Sequence, residues 1–251
     1  MPGTIMKKSI AIAVLAAVPS AATANGFGDL LLSVLHDDNV TRGYLDRDIY
    51  SDSNVHLALS AGKFLQLQPG RAIILSANVG GTRYRELDGF NHSSAGLSAT
   101  YQHKAGLGAY APVYAFTLSG WQQDSPGRAR DHGVLQANAS FHKRLSPAWS
   151  ISGGLRYEIL EGDHDGDSSK GARARSNDIY DYRQRAVFAA VNYQFANQSL
   201  LALDYSFTDG YTIASALAPD FYLLDIARAS VRDPAIRPAG GVHAAYSLET
   251  E

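Results

Sequence analysis

The sequence predicts an all-β fold: about ten antiparallel strands in up-and-down order, closed as a transmembrane β-barrel. Three observations predict it. Apolar and polar residues alternate with a period of two along most of the chain. Short connections between these segments alternate with long polar ones. The N-terminus carries an export pattern rather than a helix that spans a bilayer.

The clearest strand is Ser199 to Asp209. Leu201, Leu203, Tyr205 and Phe207 share one face, and Ala202, Asp204, Ser206 and Thr208 the other. Before it, Val187, Ala189, Val191, Tyr193 and Phe195 oppose Gln184, Ala186, Phe188, Ala190, Asn192 and Gln194. Only Ala196-Asn197-Gln198 separates the two, which makes a hairpin.

Upstream the rule repeats. Trp149, Ile151, Leu155, Tyr157 and Ile159 oppose Ser150, Ser152, Gly154, Arg156 and Glu158. Leu135, Ala137, Ala139 and Phe141 form one face of the preceding strand, and Tyr114, Phe116 and Leu118 one face of the strand before that. Leu97, Ala99 and Tyr101, then Ile73, Leu75, Ala77 and Val79, then Val55, Leu57, Leu59 and Ala61 continue the pattern. A weaker strand covers Gly28 to His36, and a last one Gly241 to Leu248. At roughly 9–14 residues such strands cross a bilayer at a tilt.

Four connections are short: Gln68 to Gly70, Ala105 to Ala109, Ser146 to Ala148 and Ala196 to Gln198. Those between them are longer and polar: Asp37 to Ser53, Tyr84 to Asn91, Gln123 to Asp131, Glu161 to Tyr182 and Gly210 to Gly240. A membrane barrel explains this, with turns on the periplasmic side and loops outside. Aromatics near strand ends (Tyr101, Trp121, Phe141, Trp149, Tyr157, Tyr193, Phe195, Tyr205, Phe207) suit interfacial girdles. A soluble periplasmic β-protein is the rival and shows the same alternation.

Export is read from Met6 onward. Lys7 and Lys8 precede an apolar run from Ile10 to Val18, and Ala22-Thr23-Ala24 supplies the small-residue end. Cleavage is expected after Ala24, which leaves residues 25–251 as the barrel. Met1 to Ile5 read as an upstream start. The run is too short to span a bilayer, which takes about 20 residues.

Composition narrows the function classes. The chain has 251 residues, a net charge of −2 and no cysteine. The charge gives no sign of a nucleic-acid binder held by phosphate contacts. The absence of cysteine removes thiolate metal sites, disulfides and cysteine nucleophiles. No motif implies a cofactor.

From Asn25 onward the chain resembles Gram-negative outer-membrane β-barrel proteins. It is similar to proteobacterial barrels that open with a strand followed by an Asp-Asp-Asn-Val-Thr-Arg-Gly loop, here Asp37 to Gly43. The resemblance implies an outer-membrane location and the fold, but no activity. The implied partners are outer-membrane lipid, lipopolysaccharide and the barrel assembly machinery. Such barrels commonly end on an aromatic residue, whereas this sequence ends Ser247-Leu248-Glu249-Thr250-Glu251. A twelve-stranded barrel with a hairpin lost after Glu251 is therefore the alternative to about ten strands.

Candidate sites are few. Asp163, Asp165 and Asp167 have the D-x-D-x-D spacing of a calcium loop. Ser168 and Ala174 stand where an EF-hand needs Gly and Glu, which leaves a solvated loop or loose cation binding. By parity His142, Arg144, Arg156, Glu158, Asp204 and His243 face the lumen. There they form either a charge network that fills it or a polar constriction that selects small solutes. His92 and Ser94 share a face beside Asn91, and Asp46 with Asp48 and Asp163 with His164 imitate parts of outer-membrane hydrolase sites. None completes a motif. The expected function is a structural or passive small-solute transport barrel rather than an enzyme; an outer-rim lipid or peptide hydrolase is the alternative.

Overall fold

The computed structural model describes residues 10–14, 25–43, 45–126, 130–162, 179–217, 229–232 and 243–250. Among the described residues the alternating sequence forms twelve strands. They are β1 (Ile10–Val14), β2 (Gly26–Asp37), β3 (Asp52–Gln68), β4 (Arg71–Tyr84), β5 (His92–Lys104) and β6 (Val113–Asp124). Then follow β7 (His132–Arg144), β8 (Trp149–Gly162), β9 (Tyr182–Gln194), β10 (Leu200–Leu217), β11 (Ala229–Arg232) and β12 (His243–Thr250). From β1 to β10 each strand pairs antiparallel with the next in chain order, an up-and-down sheet of ten strands. The second half of β10 pairs with β12, and β12 with β11. The sheet is open: β2 and β10 do not pair with each other.

Parity sorts the faces. On β3, Val55, Leu57, Leu59 and Ala61 are exposed, and His56, Ala58, Ser60 and Gly62 are half-buried. The same holds for Leu97, Ala99 and Tyr101 against Ser98 and Thr100, and for Leu155 and Tyr157 against Gly154 and Arg156. The outer face is thus apolar, with Leu97 68% and Leu203 71% exposed. The inner face is small or polar and bonds to itself. Ser76 and Ser98 hydroxyls lie 2.7 Å apart, Thr100 and Thr117 hydroxyls 2.8 Å, and His56 Nδ1 and Thr82 Oγ1 2.9 Å.

Rings fill the notches that inner-face glycines leave. Phe27 lies opposite Gly62, Trp121 opposite Gly96 and Phe188 opposite Gly154. A Cβ on Gly154 would come 2.6 Å from the Phe188 ring, and one on Gly96 would come 2.6 Å from Trp121 Cβ. These glycines are gaps into which a neighbour's ring folds.

Several sequence expectations need correction. Trp121 does not belong to an outer girdle. It shares parity with Thr117 and Ser119 and packs on an inner cluster of Val134, Leu160, Ile179, Tyr180 and Ala245. β10 does not stop at Asp209 but runs to Leu217, and β11 lies inside the stretch expected to be one loop from Gly210 to Gly240. The last strand spans His243–Thr250. It does not extend the sheet as a plain edge: Ala245, Tyr246 and Ser247 are at most 1% exposed, with Ala245 in the cluster that holds Val134 and Leu160 and Tyr246 in a second one with Ala214 and Ala216. The short/long alternation fails once. The connection 105–112 is no shorter than 85–91 or 125–131, because Gly106 and Gly108 at φ of +121° and +85° let it wander before β6. By contrast, Pro69-Gly70, with Gly70 at φ +77°, makes a tight turn between β3 and β4.

Some of the outer aromatics cluster at the short-turn end, whereas Tyr157, Tyr205 and Phe207 lie toward mid-sheet. The Trp149 and Tyr193 rings lie 4.7 Å apart, as do Tyr193 and Phe195, with Tyr101, Tyr114 and Phe141 exposed at the same end. At the opposite end the sheet curls far enough for Ser215 N of β10 to donate to Thr41 O, just past β2, at 2.9 Å.

Replacing Gly154 by Val is expected to cost about 1–3 kcal/mol through overpacking against Phe188. The readout is a lower unfolding temperature in detergent. The outer-face change Ala99→Val should leave that temperature unchanged.

Candidate functional site at the long-loop rim

The loop end of the sheet is built by one local device used repeatedly. An Asn or Asp stands at the base of three long connections, and its side-chain oxygen accepts a backbone N–H across the gap. Asn91 Oδ1 takes Tyr84 N at 2.7 Å, Asp131 Oδ1 takes Ser125 N at 2.6 Å and Asp181 Oδ1 takes Gly162 N at 2.8 Å. Asp52, 4% exposed, takes Glu86 N and Leu87 N from the neighbouring loop at 3.0 and 2.8 Å. Short polar side chains favour such local bonds over ladder bonds, and carboxylates strengthen them.

The residue after three of these clips is an inward ring: His92, His132 and Tyr182. His92 Nδ1 meets Phe90 O at 3.1 Å and His132 Nδ1 meets Arg130 O at 2.9 Å. A carbonyl only accepts, so these bonds assign the proton of each ring to Nδ1. His132 also stacks on Tyr180 with ring centres 4.2 Å apart.

The Asp37 to Gly43 loop closes the rim on the β2 side. Asp37 Oδ1 accepts Asn39 N at 2.8 Å, Asn39 Oδ1 accepts Gly43 N at 2.9 Å, and Asn39 Nδ2 donates to Gly43 O at 3.1 Å. Thr41, 2% exposed, donates its hydroxyl to Asp48 O, and its own carbonyl takes Ser215 N. Between them Arg42 is held at φ +51°, a left-handed conformation that costs a non-glycine residue about 1 kcal/mol or more.

These pieces enclose a cavity of about 370 Å³. Arg42, Arg130 and His92 supply basic groups, Asp37 the acidic one, and Tyr84, Phe90, Tyr182 and Tyr211 supply rings. Arg130 lies 4.3 Å over the Phe90 ring and donates to Ser215 Oγ at 2.9 Å. Chemically the arrangement offers many hydrogen-bond donors and a ring-lined wall. It suits an anion attached to a flat or ring-shaped body.

The residues singled out from sequence fall elsewhere. Glu158 is 8% exposed on the inner face and is held by two amides: Gln136 Nε2 donates to Oε2 and Gln184 Nε2 to Oε1, each at 2.7 Å. Among the described residues no ion pair involves Glu158; Arg185 pairs with Asp209 at 2.6 Å on the outer face, and Arg47 lies 3.9 Å from Asp48. Arg156 shares the face of Glu158 and is half-buried. His142 and Arg144 are exposed at the short-turn end, where Arg144 Nη2 donates to Pro147 O at 3.2 Å. Asp204 is exposed on β10, and His243 heads β12 with its side chain outside the described residues. Asp163, His164, Asp165 and Asp167 also lie outside them. Among the described residues no cluster of His, Asp and Glu is placed to hold a metal ion.

His92 is brought into the cavity, and Ser94 follows it on the inner face with no hydrogen bond between them. Asp48 is buried and Asp46 exposed, so the two do not form an open carboxylate pair. Sequence reading missed Arg42, Arg130, Tyr84 and Tyr182. The repeated pair of Asn or Asp followed by a ring (Asn91-His92, Asp131-His132, Asp181-Tyr182) was the available signal. The chain matches no protein-family model, no curated protein and no solved structure.

Two outcomes follow at this rim and just below it. Asp131→Ala should lower unfolding stability by about 2 kcal/mol and speed amide exchange at Ser125, because a charge-assisted bond is lost. Glu158→Leu should cost about 1–3 kcal/mol for each glutamine left without its acceptor, while Glu158→Gln should cost much less; thermal unfolding separates the two.

Proposed function

We propose that the chain is a membrane-spanning β-barrel of the outer membrane with a structural or passive small-solute role. The observation that carries this reading is the inside-out sheet. β2 to β10 are 12 to 18 residues long and turn Leu, Val and aromatic side chains outward while keeping Ser, Thr, Gln and Glu within. Water-soluble proteins rarely leave so continuous an apolar surface uncovered, and hydrocarbon is the medium that covers it. The ring of Tyr and Trp at the short-turn end suits a bilayer interface.

Closure in this reading joins β2 to the β10–β12 end of the sheet, where β12 runs antiparallel to β10 and makes the tenth strand. The edge of β2 from Leu32 to His36 is occupied by β1, which lies within the export segment. Export and removal of residues 1–24 would free that edge. The edge of β10 from Leu200 to Asp209 has β9 on one side and no strand on the other among the described residues. The contact of Ser215 with Thr41 supports a seam between these two edges, since it already brings the ends together at the rim. An unpaired edge has no tolerable environment in hydrocarbon, which supplies the drive to close.

The test is gel mobility of the chain from residue 25, refolded in detergent, with and without boiling. A compact unboiled band that slows on boiling is expected; one mobility in both lanes overturns closure. Leu97→Arg on the outer face should deplete the compact band through a cost of about 2–4 kcal/mol near the midplane, whereas Asn78→Lys on the inner face should not. Liposome swelling in arabinose then separates the two roles: swelling marks passive passage, and its absence marks a structural barrel.

A further inference from the structure

We infer that the rim cavity is a binding site for a phosphorylated sugar. The inference goes beyond the barrel reading and stands on the rim geometry, whether or not the lumen conducts.

Three observations converge. The cavity, at about 370 Å³, is the size of a small-ligand pocket. Among the described residues its basic groups, Arg42, Arg130 and His92, outnumber the carboxylate that lines it, Asp37; Asp37 accepts from Asn39 N, and Arg130 donates to Ser215 Oγ. Planar guanidinium groups match the oxygens of a phosphate, and a site bounded by two of them favours that group over a neutral solute. The facing wall is aromatic, with Tyr182 and Tyr211 ring centres 5.6 Å apart, and ring faces of this kind pack against the apolar face of a sugar.

Arg42 is the residue that separates binding from architecture. It lines the cavity, and among the described residues no hydrogen bond or ion pair engages its guanidinium. Yet Asn39 grips the backbone at Gly43, and Thr41 is buried beneath β10, so the loop holds Arg42 at φ +51°. A glycine would occupy that conformation without strain. The chain keeps instead a long cation in a strained backbone position aimed at the cavity, and strain held in this way marks a functional constraint.

The decisive variant is Arg42→Gly, which removes the cation and relieves the backbone; Arg42→Gln is the companion if the loop fails to fold. The probes are glucose 1-phosphate, glucose, and detergent micelles with or without lipid A. Binding is read by calorimetry for the sugars and by unfolding temperature for the micelles. The same preparations are run unboiled on gels, so that lost folding is not read as lost binding. The expected result is binding of glucose 1-phosphate but not glucose, weakened about tenfold or more in Arg42→Gly. Arg42→Gly alone should unfold at the same or a higher temperature than the parent. Stabilisation of the parent by lipid A without binding of glucose 1-phosphate, and its loss in Arg42→Gly, upholds the site and names a lipid headgroup as the source of the phosphate. If neither probe distinguishes the parent from Arg42→Gly and Arg42→Gln, the inference is overturned.

Discussion

The antiparallel register from β2 to β10 is the constraint on which the rest of this molecule depends. A single irregularity, at Gln66 to Gln68 beside a turn, interrupts it. Because side chains alternate, a one-residue slip at any pair would send every later leucine inward and every serine outward. The register holds because both faces enforce it. Outside, pairs such as Leu59 with Val79 and Leu203 with Val191 lie together; inside, Ser76 with Ser98 and Thr100 with Thr117 meet within bonding distance. Neither set tolerates the other's surroundings.

That register also explains how the inner face is filled without a conventional core. Small residues recur through its middle, and three rings fold over a glycine directly opposite. Gly62, Gly96 and Gly154 receive Phe27, Trp121 and Phe188 in this way. Glu158 sits between Gln136 and Gln184 on adjoining strands, and both carboxylate oxygens are satisfied by neutral donors. Neutral amides solve the burial of this charge at low local charge density, whereas a buried arginine partner would have brought its own desolvation cost.

The rim follows a different logic. Strand pairing ends there, so backbone N–H groups at loop bases lose their ladder partners. Asn91, Asp131, Asp181 and Asp52 accept those hydrogens, and the sheet therefore ends in a firm edge rather than a frayed one. On that edge His92, Tyr182, Arg42 and Arg130 come together although they lie far apart in sequence. The sheet interior carries the architecture and the rim carries the chemistry.

The sequence by itself determined the all-β character, most strand positions and which residues share a face, because a period of two is written locally and needs no knowledge of partners. It also held the loop-base pairs of Asn or Asp with a ring. Only the tertiary structure decided the inward placement of Trp121, the length of β10, the path of β12 over the inner face, and the meeting of Arg42 with Arg130 and His92. Trp121 resisted reading because an aromatic near a strand end suits either face until its cross-strand partner, here Gly96, is known. β10 and β12 resisted because their pairing joins segments whose spacing the local pattern does not encode. Arg42 resisted because its importance lies in a backbone angle imposed by Asn39 and Thr41, and a residue's own identity does not announce the strain its neighbours place on it.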